Sequence, residues 1–397
     1  MHDRLPVPDD AERAHAARML AHLRTLLTTR GSLPFAQYMH ECLYAPGLGY
    51  YSAGRTKFGA AGDFVTAPEL GGLFAHGVAQ ALTPLLEACG EAADMLELGA
   101  GSGAFAVDAL RALESLGRAP RRYLILETSA DLRARQRERV VAQLPPALAA
   151  RVTWLDAPPT EPWRGVLFAN EVIDALPATR FVVRDQEVFE EHVALDADGR
   201  LLRVDRPADA MLAAQVRGVE SALGHPFADG QRGELHAPLP SWLAAVAGTL
   251  QTGALLFVDY GDARAAYYHP ARRDGTLMAH YRHRALADPL FLPGLCDLTA
   301  SVDFSALAEA GAQAGFALGG WWTQATFLLA AGLPALFESA FESAPDATAQ
   351  LRLAEQVRRL TLPDQMGERF HAMLLLRGLE TQVVPAALRE ADQRERL

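Results

Sequence analysis

The segment ELGAGSGAF, residues 97–105, carries the apolar run DMLEL into a glycine turn and opens a helical pattern over 104–116. A strand that passes through a glycine-rich turn into a helix commits this region to an α/β unit, since the helix must fold back onto the strand. Glycine takes left-handed backbone at no steric cost. A helix N-terminus also offers unpaired N–H groups to a ligand. Through Gly99, Gly101 and Ala104 the segment satisfies the dinucleotide pattern, and a glycine turn without a ligand is its plainer reading.

The runs RYLILET, RVTWLD, GVLFAN and GALLFVDYG repeat the character of DMLEL, being apolar throughout rather than alternating. Such runs suit strands buried on both faces of a parallel sheet. With helical stretches between them, including 130–143 and 242–250, they predict an α/β fold with a doubly wound, Rossmann-like sheet. FALGGWWTQ and FHAMLLLRG complete seven strands, and Trp321 and Trp322 read as core. RFVVRD, EVFEEHVAL and RLLRVD, with DADG as a hairpin turn, predict an antiparallel insertion at about 180–240. Residues 11–30 and 73–89 predict helices. Between them, 34–72 is rich in Gly, Pro and aromatic residues, a composition of lids and binding loops. The expected organisation is an N-terminal helical and loop extension over 1–90, a core over 91–380 and a charged, frayed tail over 381–397.

The formal net charge of −11 over 397 residues argues against a general nucleic-acid binder. The one local basic patch, Arg121, Arg122, Arg133, Arg135, Arg137 and Arg139, reads as a solvated helix face. Lys57 is the only lysine, and the cysteines Cys42, Cys89 and Cys296 show neither metal nor disulfide spacing. No apolar run reaches the ~18 residues a membrane helix needs, and the acidic start lacks an apolar leader. A cytoplasmic protein without membrane insertion is expected.

Acids near the strand ends narrow the chemistry. Glu127 closes the second strand, where a carboxylate can accept both ribose hydroxyls of an adenosine. Asp156 closes the third, where it can meet an adenine amino group or simply form a turn before Pro158 and Pro159. Glu97 precedes the glycine loop and can reach an ammonium group. Glu-x-Gly-x-Gly-x-Gly with a nearby acid favours S-adenosyl-L-methionine over a pyrophosphate cofactor. Gly99, Gly101, Gly103, Glu97, Glu127 and Asp156 are thus candidate cofactor residues, with Thr66 and Glu69 of the long loop.

The pieces LYAPGLGYY, GDFVTAPEL, ELGAGSG, NEVIDALP, VDYG, PGLCDLTASVDF and MGERF occur in order over nearly the whole chain. In them the sequence resembles the MidA-like family of S-adenosylmethionine-dependent methyltransferases, which includes the mitochondrial complex I assembly methyltransferase. The resemblance implies a seven-stranded methyltransferase core, cofactor contacts at Gly99, Gly101 and Glu127, and, from the mitochondrial relatives, an arginine on a respiratory complex I subunit as acceptor. Met278 and Ser301 depart from the family pattern, where arginine and histidine or aspartate are common.

In FANEVIDALPATRF, residues 168–181, Asn170, Glu171 and Asp174 follow the end of the fourth strand. If a helical turn follows, Glu171 and Asp174 share a face and can orient a guanidinium, with Asn170 shaping the turn. The plainer reading is a helix cap at Asn170. Asp259, Tyr260 and His283 are candidate substrate-side residues. Two alternatives stand beside a protein arginine methyltransferase: a non-catalytic, cofactor-binding assembly factor and a nicotinamide-dependent oxidoreductase.

Overall fold

Strands buried on both faces need apolar side chains on both, and β2 (Asp94–Leu98) is buried at every position. The computed structural model describes residues 7–53 and 66–397. Lys57 and the GDFV of GDFVTAPEL lie outside the described residues. The chain forms two compact units, and the division is not linear. The smaller draws on Met1–Phe64, Ile173–Ala237 and Arg264–Val302, the larger on Val65–Val172, Pro238–Ala263 and Asp303–Leu397. The 1–90 segment is therefore shared, because helix Gly72–Cys89 packs in the core of the larger unit.

The larger unit is built on a mixed sheet. Its path runs β15 (Ala317–Thr323), β16 (Phe370–Arg377), β10 (Leu250–Asp262), β5 (Trp163–Asn170), β2, β3 (Tyr123–Leu126), β4 (Val152–Leu155). Neighbours from β10 to β4 are parallel, and β16 is antiparallel to both β10 and β15. The two-residue strand β14 (Val302–Asp303) brings the sheet to eight strands. Met95, Tyr123, Ile125, Val166 and Phe168 on one face join a core with helices Gly72–Cys89 and Ala104–Ser115. On the other face Trp242 stands 6.0 Å from Phe257, ring to ring. The chain winds outward from β2 to β4, then returns to place β5 on the other side of β2. That reversal makes the carboxyl ends of β2 and β5 a topological switch point, the place where open α/β sheets bind ligands.

The smaller unit holds a sheet in the order β1 (Ser32–Pro34), β7 (Glu187–Leu195), β6 (Thr179–Arg184), β9 (Arg232–Leu235), with β8 (Leu201–Pro207) paired to β7. The expected DADG hairpin joins β7 to β8, with Gly199 at φ 73°. Buried Arg180 lies 3.1 Å from Glu191, 3.1 Å from Glu234 and 3.2 Å from Asp274, so its charge is paired inside the sheet. A three-stranded sheet, β12 (Arg284–Leu286), β11 (Met278–Tyr281), β13 (Asp297–Thr299), completes it.

Three expectations change. The insertion carries a helix, Ala210–Leu223, started by Asp209, which accepts from the Leu212 N–H, and stopped by left-handed Gly224. The helix expected at 242–250 lies at Leu239–Ala247, since Gly248 closes it and Leu250 already begins β10. The tail is not frayed. Residues 392–394 bond to β15, and Leu388 is buried. Trp321 and Trp322 are buried as expected. Among the described residues no single helix is long and apolar enough to cross a membrane.

Candidate functional site

Gly99, Gly101 and Gly103 hold φ of 61°, 54° and 80°, the left-handed region that a glycine enters freely. Space adds a second demand. A Cβ on Gly99 would stand 3.1 Å from Cγ2 of Val172, and one on Gly103 3.3 Å from Cγ of Gln136. The loop therefore runs as bare backbone from β2 into helix Ala104–Ser115.

Ser102, at the crown of this loop, ties it to the 66–70 segment. Its hydroxyl donates to Glu69 and accepts from Arg139 at 2.9 Å, and Arg139 stands 3.9 Å from the Glu69 carboxylate. Glu69 lies in the short helix Ala67–Leu70, and Thr66 anchors that turn by accepting the Glu69 N–H at 3.0 Å. Glu69 thus meets the glycine loop through a serine that sequence reasoning did not single out.

Glu127 directly follows β3 and is buried. One carboxylate oxygen accepts the Ser129 N–H at 2.9 Å, the other the Gln136 amide at 3.2 Å. The same Gln136 nitrogen donates to the Gly101 carbonyl at 2.9 Å, and its oxygen accepts the Trp154 indole N–H at 2.9 Å. Gln136 and Trp154 were not read from the sequence. A signal existed: Leu132, Gln136 and Val140, spaced by four, form the buried stripe of helix Ala130–Gln143, and a neutral amide there is out of place. Asp156 is almost fully exposed and pairs with Arg133, which also bonds the carbonyls of Glu127 and Leu155. The arginine patch is likewise engaged. Arg121 and Arg122 grip buried Asp94, Arg135 pairs with Asp131, and Arg137 stacks on Trp154.

Glu97 points into the packed face of the sheet beside Met95, not into the open loop, and accepts the Tyr123 hydroxyl at 2.7 Å. Burial pushes its carboxyl up to about 8; the Tyr123 hydroxyl lowers it and the charge of Glu127 raises it further. Burial beside Glu127 thus favours the neutral acid form of Glu97.

The end of β5 departs from expectation. Asn170 is the last strand residue, and no helical turn follows it. Glu171 takes φ 54° while its N–H still bonds the Val258 carbonyl of β10 at 2.9 Å. A left-handed residue cannot continue a right-handed helix, so the face that Glu171 and Asp174 were expected to share does not form. Asn170 caps no helix either. Its amide donates to the Glu171 carboxylate at 2.9 Å, and its buried oxygen has no partner among the described residues. Asp174 belongs to the smaller unit, where it is buried and its carbonyl accepts the Ala300 N–H at 2.9 Å. Asp259 and Tyr260 sit just past the last β5–β10 pair, Asn170 with Val258. Asp259 is buried and accepts the Tyr260 N–H, while the Tyr260 ring packs edge-on against Phe370. His283 is an exposed, left-handed residue in the turn between β11 and β12 of the smaller unit.

These residues fit an adenosyl cofactor. Bare glycine backbone adjoins a fixed, buried carboxylate suited to paired hydroxyls, and the buried Asn170 oxygen is left to accept a donor at the neighbouring strand end. Comparison with known proteins agrees. The model of a family described as "Putative S-adenosyl-L-methionine-dependent methyltransferase" matches residues 77–321. The protein arginine methyltransferase NDUFAF7, mitochondrial, of Rattus norvegicus is 28% identical over 93% of this chain and 86% of its own. The human protein of that name is 29% identical over 90% of this chain and 83% of its own. A crystal structure from Burkholderia thailandensis bound to S-adenosyl-homocysteine has a TM-score of 0.92 at 41% identity, covering 99% of this chain and 100% of that one. The nicotinamide alternative gives way to this match, and the chain belongs to that family, as a methyltransferase whose cofactor is S-adenosyl-L-methionine.

Proposed function

We propose that the enzyme methylates an arginine side chain of a protein, with Glu171 as the carboxylate that orients the guanidinium. The observation behind this reading is the left-handed Glu171, fixed by its own N–H and by Asn170 at the switch point. Strained backbone of this kind costs about 1–3 kcal/mol and gathers at functional sites. The names of the curated relatives supply the acceptor class. The family resemblance extends it to a subunit of respiratory complex I.

S-adenosyl-L-methionine supplies a methyl group already activated on a sulfonium, so the protein's task is alignment, which can contribute up to ~7–11 kcal/mol. An arginine acceptor has a pKa above ~12 and a delocalised charge. A carboxylate paired with two of its N–H groups fixes the plane and draws positive charge away from the attacking nitrogen. As that nitrogen bonds to the methyl carbon, the carbon–sulfur bond breaks and its electron pair stays on sulfur. The methylated guanidinium then loses a proton. Gly99, Gly101 and Gly103 line the cofactor side, with Glu127 on the ribose.

The test is transfer of labelled methyl from the cofactor into proteins of a lysate from cells lacking the enzyme, with mass spectrometry of the product. Methylation of an arginine in one protein is expected. Binding of S-adenosyl-homocysteine with no transfer to any protein would favour a non-catalytic assembly factor.

A further inference from the structure

We propose that Gln136 is a positioning residue that aims Glu127 at the cofactor's ribose and thereby sets the enzyme's preference for both ribose hydroxyls. The inference rests on reading Glu127 as the ribose-binding carboxylate. Gln136 is fully buried, and both ends of its amide are used. The Trp154 indole can only donate, so the Gln136 oxygen must face it. That fixes the nitrogen toward two acceptors, the Gly101 carbonyl and the Glu127 carboxylate. One amide thus joins the glycine loop, the end of β3 and β4 in a single orientation. Space holds it in place as well, since a Cβ on Gly103 would press on Cγ of Gln136 at 3.3 Å. The Ser129 N–H grips the other oxygen of Glu127, so the carboxylate plane is set at two points.

The chemistry makes the role specific to the amide. Gln136→Met keeps the volume and loses both donors, which removes the Gln136 hold on one Glu127 oxygen while the Ser129 N–H keeps the other. Gln136→Glu puts an oxygen where the nitrogen stands, facing two acceptors, and is expected to be the worse change. Trp154→Phe leaves Gln136 in place but removes the donor that fixes its orientation, and is expected to produce a partial effect.

The experiment measures calorimetric affinities of the full chain for S-adenosyl-homocysteine and for its 2′-deoxy analogue. A hydroxyl bonded to a charged carboxylate should give the wild type a preference of about tenfold or more for the parent compound. Glu127→Ala should abolish that preference, and Gln136→Met should reduce it several-fold. The double variant should show no further loss, because Gln136 acts through Glu127. A Glu127→Ala protein that still prefers the parent compound would overturn the ribose assignment and the proposal with it. Loss of preference in Glu127→Ala but full preference in Gln136→Met and Trp154→Phe would overturn the role of Gln136 alone. A folding defect in the Gln136 variants leaves the Trp154→Phe result to decide, since retained preference there counts against the proposal.

Discussion

The amide of Asn170 donates to the carboxylate of Glu171, its own chain neighbour, across 2.9 Å. Adjacent side chains on an extended strand point to opposite faces. They meet here because Glu171 turns left-handed, at φ 54°.

This contact separates activity from stability. In Glu171→Gly the positive φ becomes free of the ~1–2 kcal/mol that a side chain costs there. Because the variant also loses the Asn170 contact, it is expected to stay within ~1–2 kcal/mol of the wild type in denaturant and to be inactive in methyl transfer. Glu171→Gln should bind S-adenosyl-homocysteine within a few-fold of wild type and also fail to transfer. Full activity in either would remove Glu171 from the acceptor side.

Glu97 predicts a pH dependence of stability. Burial raises its carboxyl to about 8 from an ordinary 4.5, so the folded chain holds this proton more tightly than the unfolded one. The contribution is fully present below pH 4.5 and is lost as pH rises through 8, with a limiting slope of about 1.4 kcal/mol per pH unit. Denaturation midpoints between pH 5.5 and 8.5 should therefore fall more steeply for the wild type than for Glu97→Gln. Parallel curves would show that Glu97 titrates normally.

The position of Glu97 was legible without coordinates, since in β2 it shares a face with Met95. Placing it before the loop with reach to an ammonium group did not use that period. The parallel strands and the glycine loop were readable because continuous apolar runs and glycine turns are local signals. The conformation after Asn170 was not, because one left-handed residue leaves no mark in a composition that reads NEVID. The tail misled for a related reason. Its polar residues look solvated, yet they serve backbone groups of a strand more than sixty residues away in the chain.

Ser102 predicts a cofactor-side effect. Its hydroxyl is the shared partner of Glu69 and Arg139, and in Ser102→Ala those two long side chains lose the group that bridges them to the glycine loop. The expected outcome is a several-fold rise in the dissociation constant of S-adenosyl-homocysteine with a thermal midpoint lowered by only a few degrees, from a net loss of ~1 kcal/mol per hydrogen bond. Glu69→Gln keeps a hydrogen-bond acceptor toward Ser102 and should fall between the two. An unchanged dissociation constant in Ser102→Ala would reduce the contact to packing.

The tail gives the last prediction. β15 is the edge of the sheet, and an open edge presents backbone groups that pair with other chains. Here the Trp321 N–H donates to the Asp392 carboxylate at 3.0 Å, the Trp321 carbonyl accepts the Gln393 N–H at 2.9 Å, and the Thr323 N–H reaches the Gln393 side chain at 3.3 Å. Arg394 donates to the carbonyls of Leu318 and Gly319 at 2.8 and 2.6 Å. The tail thus covers the edge without forming a strand of its own. Removing 386–397 uncovers these groups and the apolar seat of Leu388, whose carbonyl also holds the Trp322 indole at 2.8 Å. The truncated chain should melt at a lower temperature and associate further than the full chain at equal concentration in sedimentation experiments. Asp392→Ala loses the acceptor of the Trp321 N–H together with the carboxylate's bonds to the Arg394 N–H and guanidinium, and should cost about 1 kcal/mol per lost bond while leaving the association state unchanged. A truncated chain with the full chain's melting temperature and sedimentation would show that the edge needs no cover.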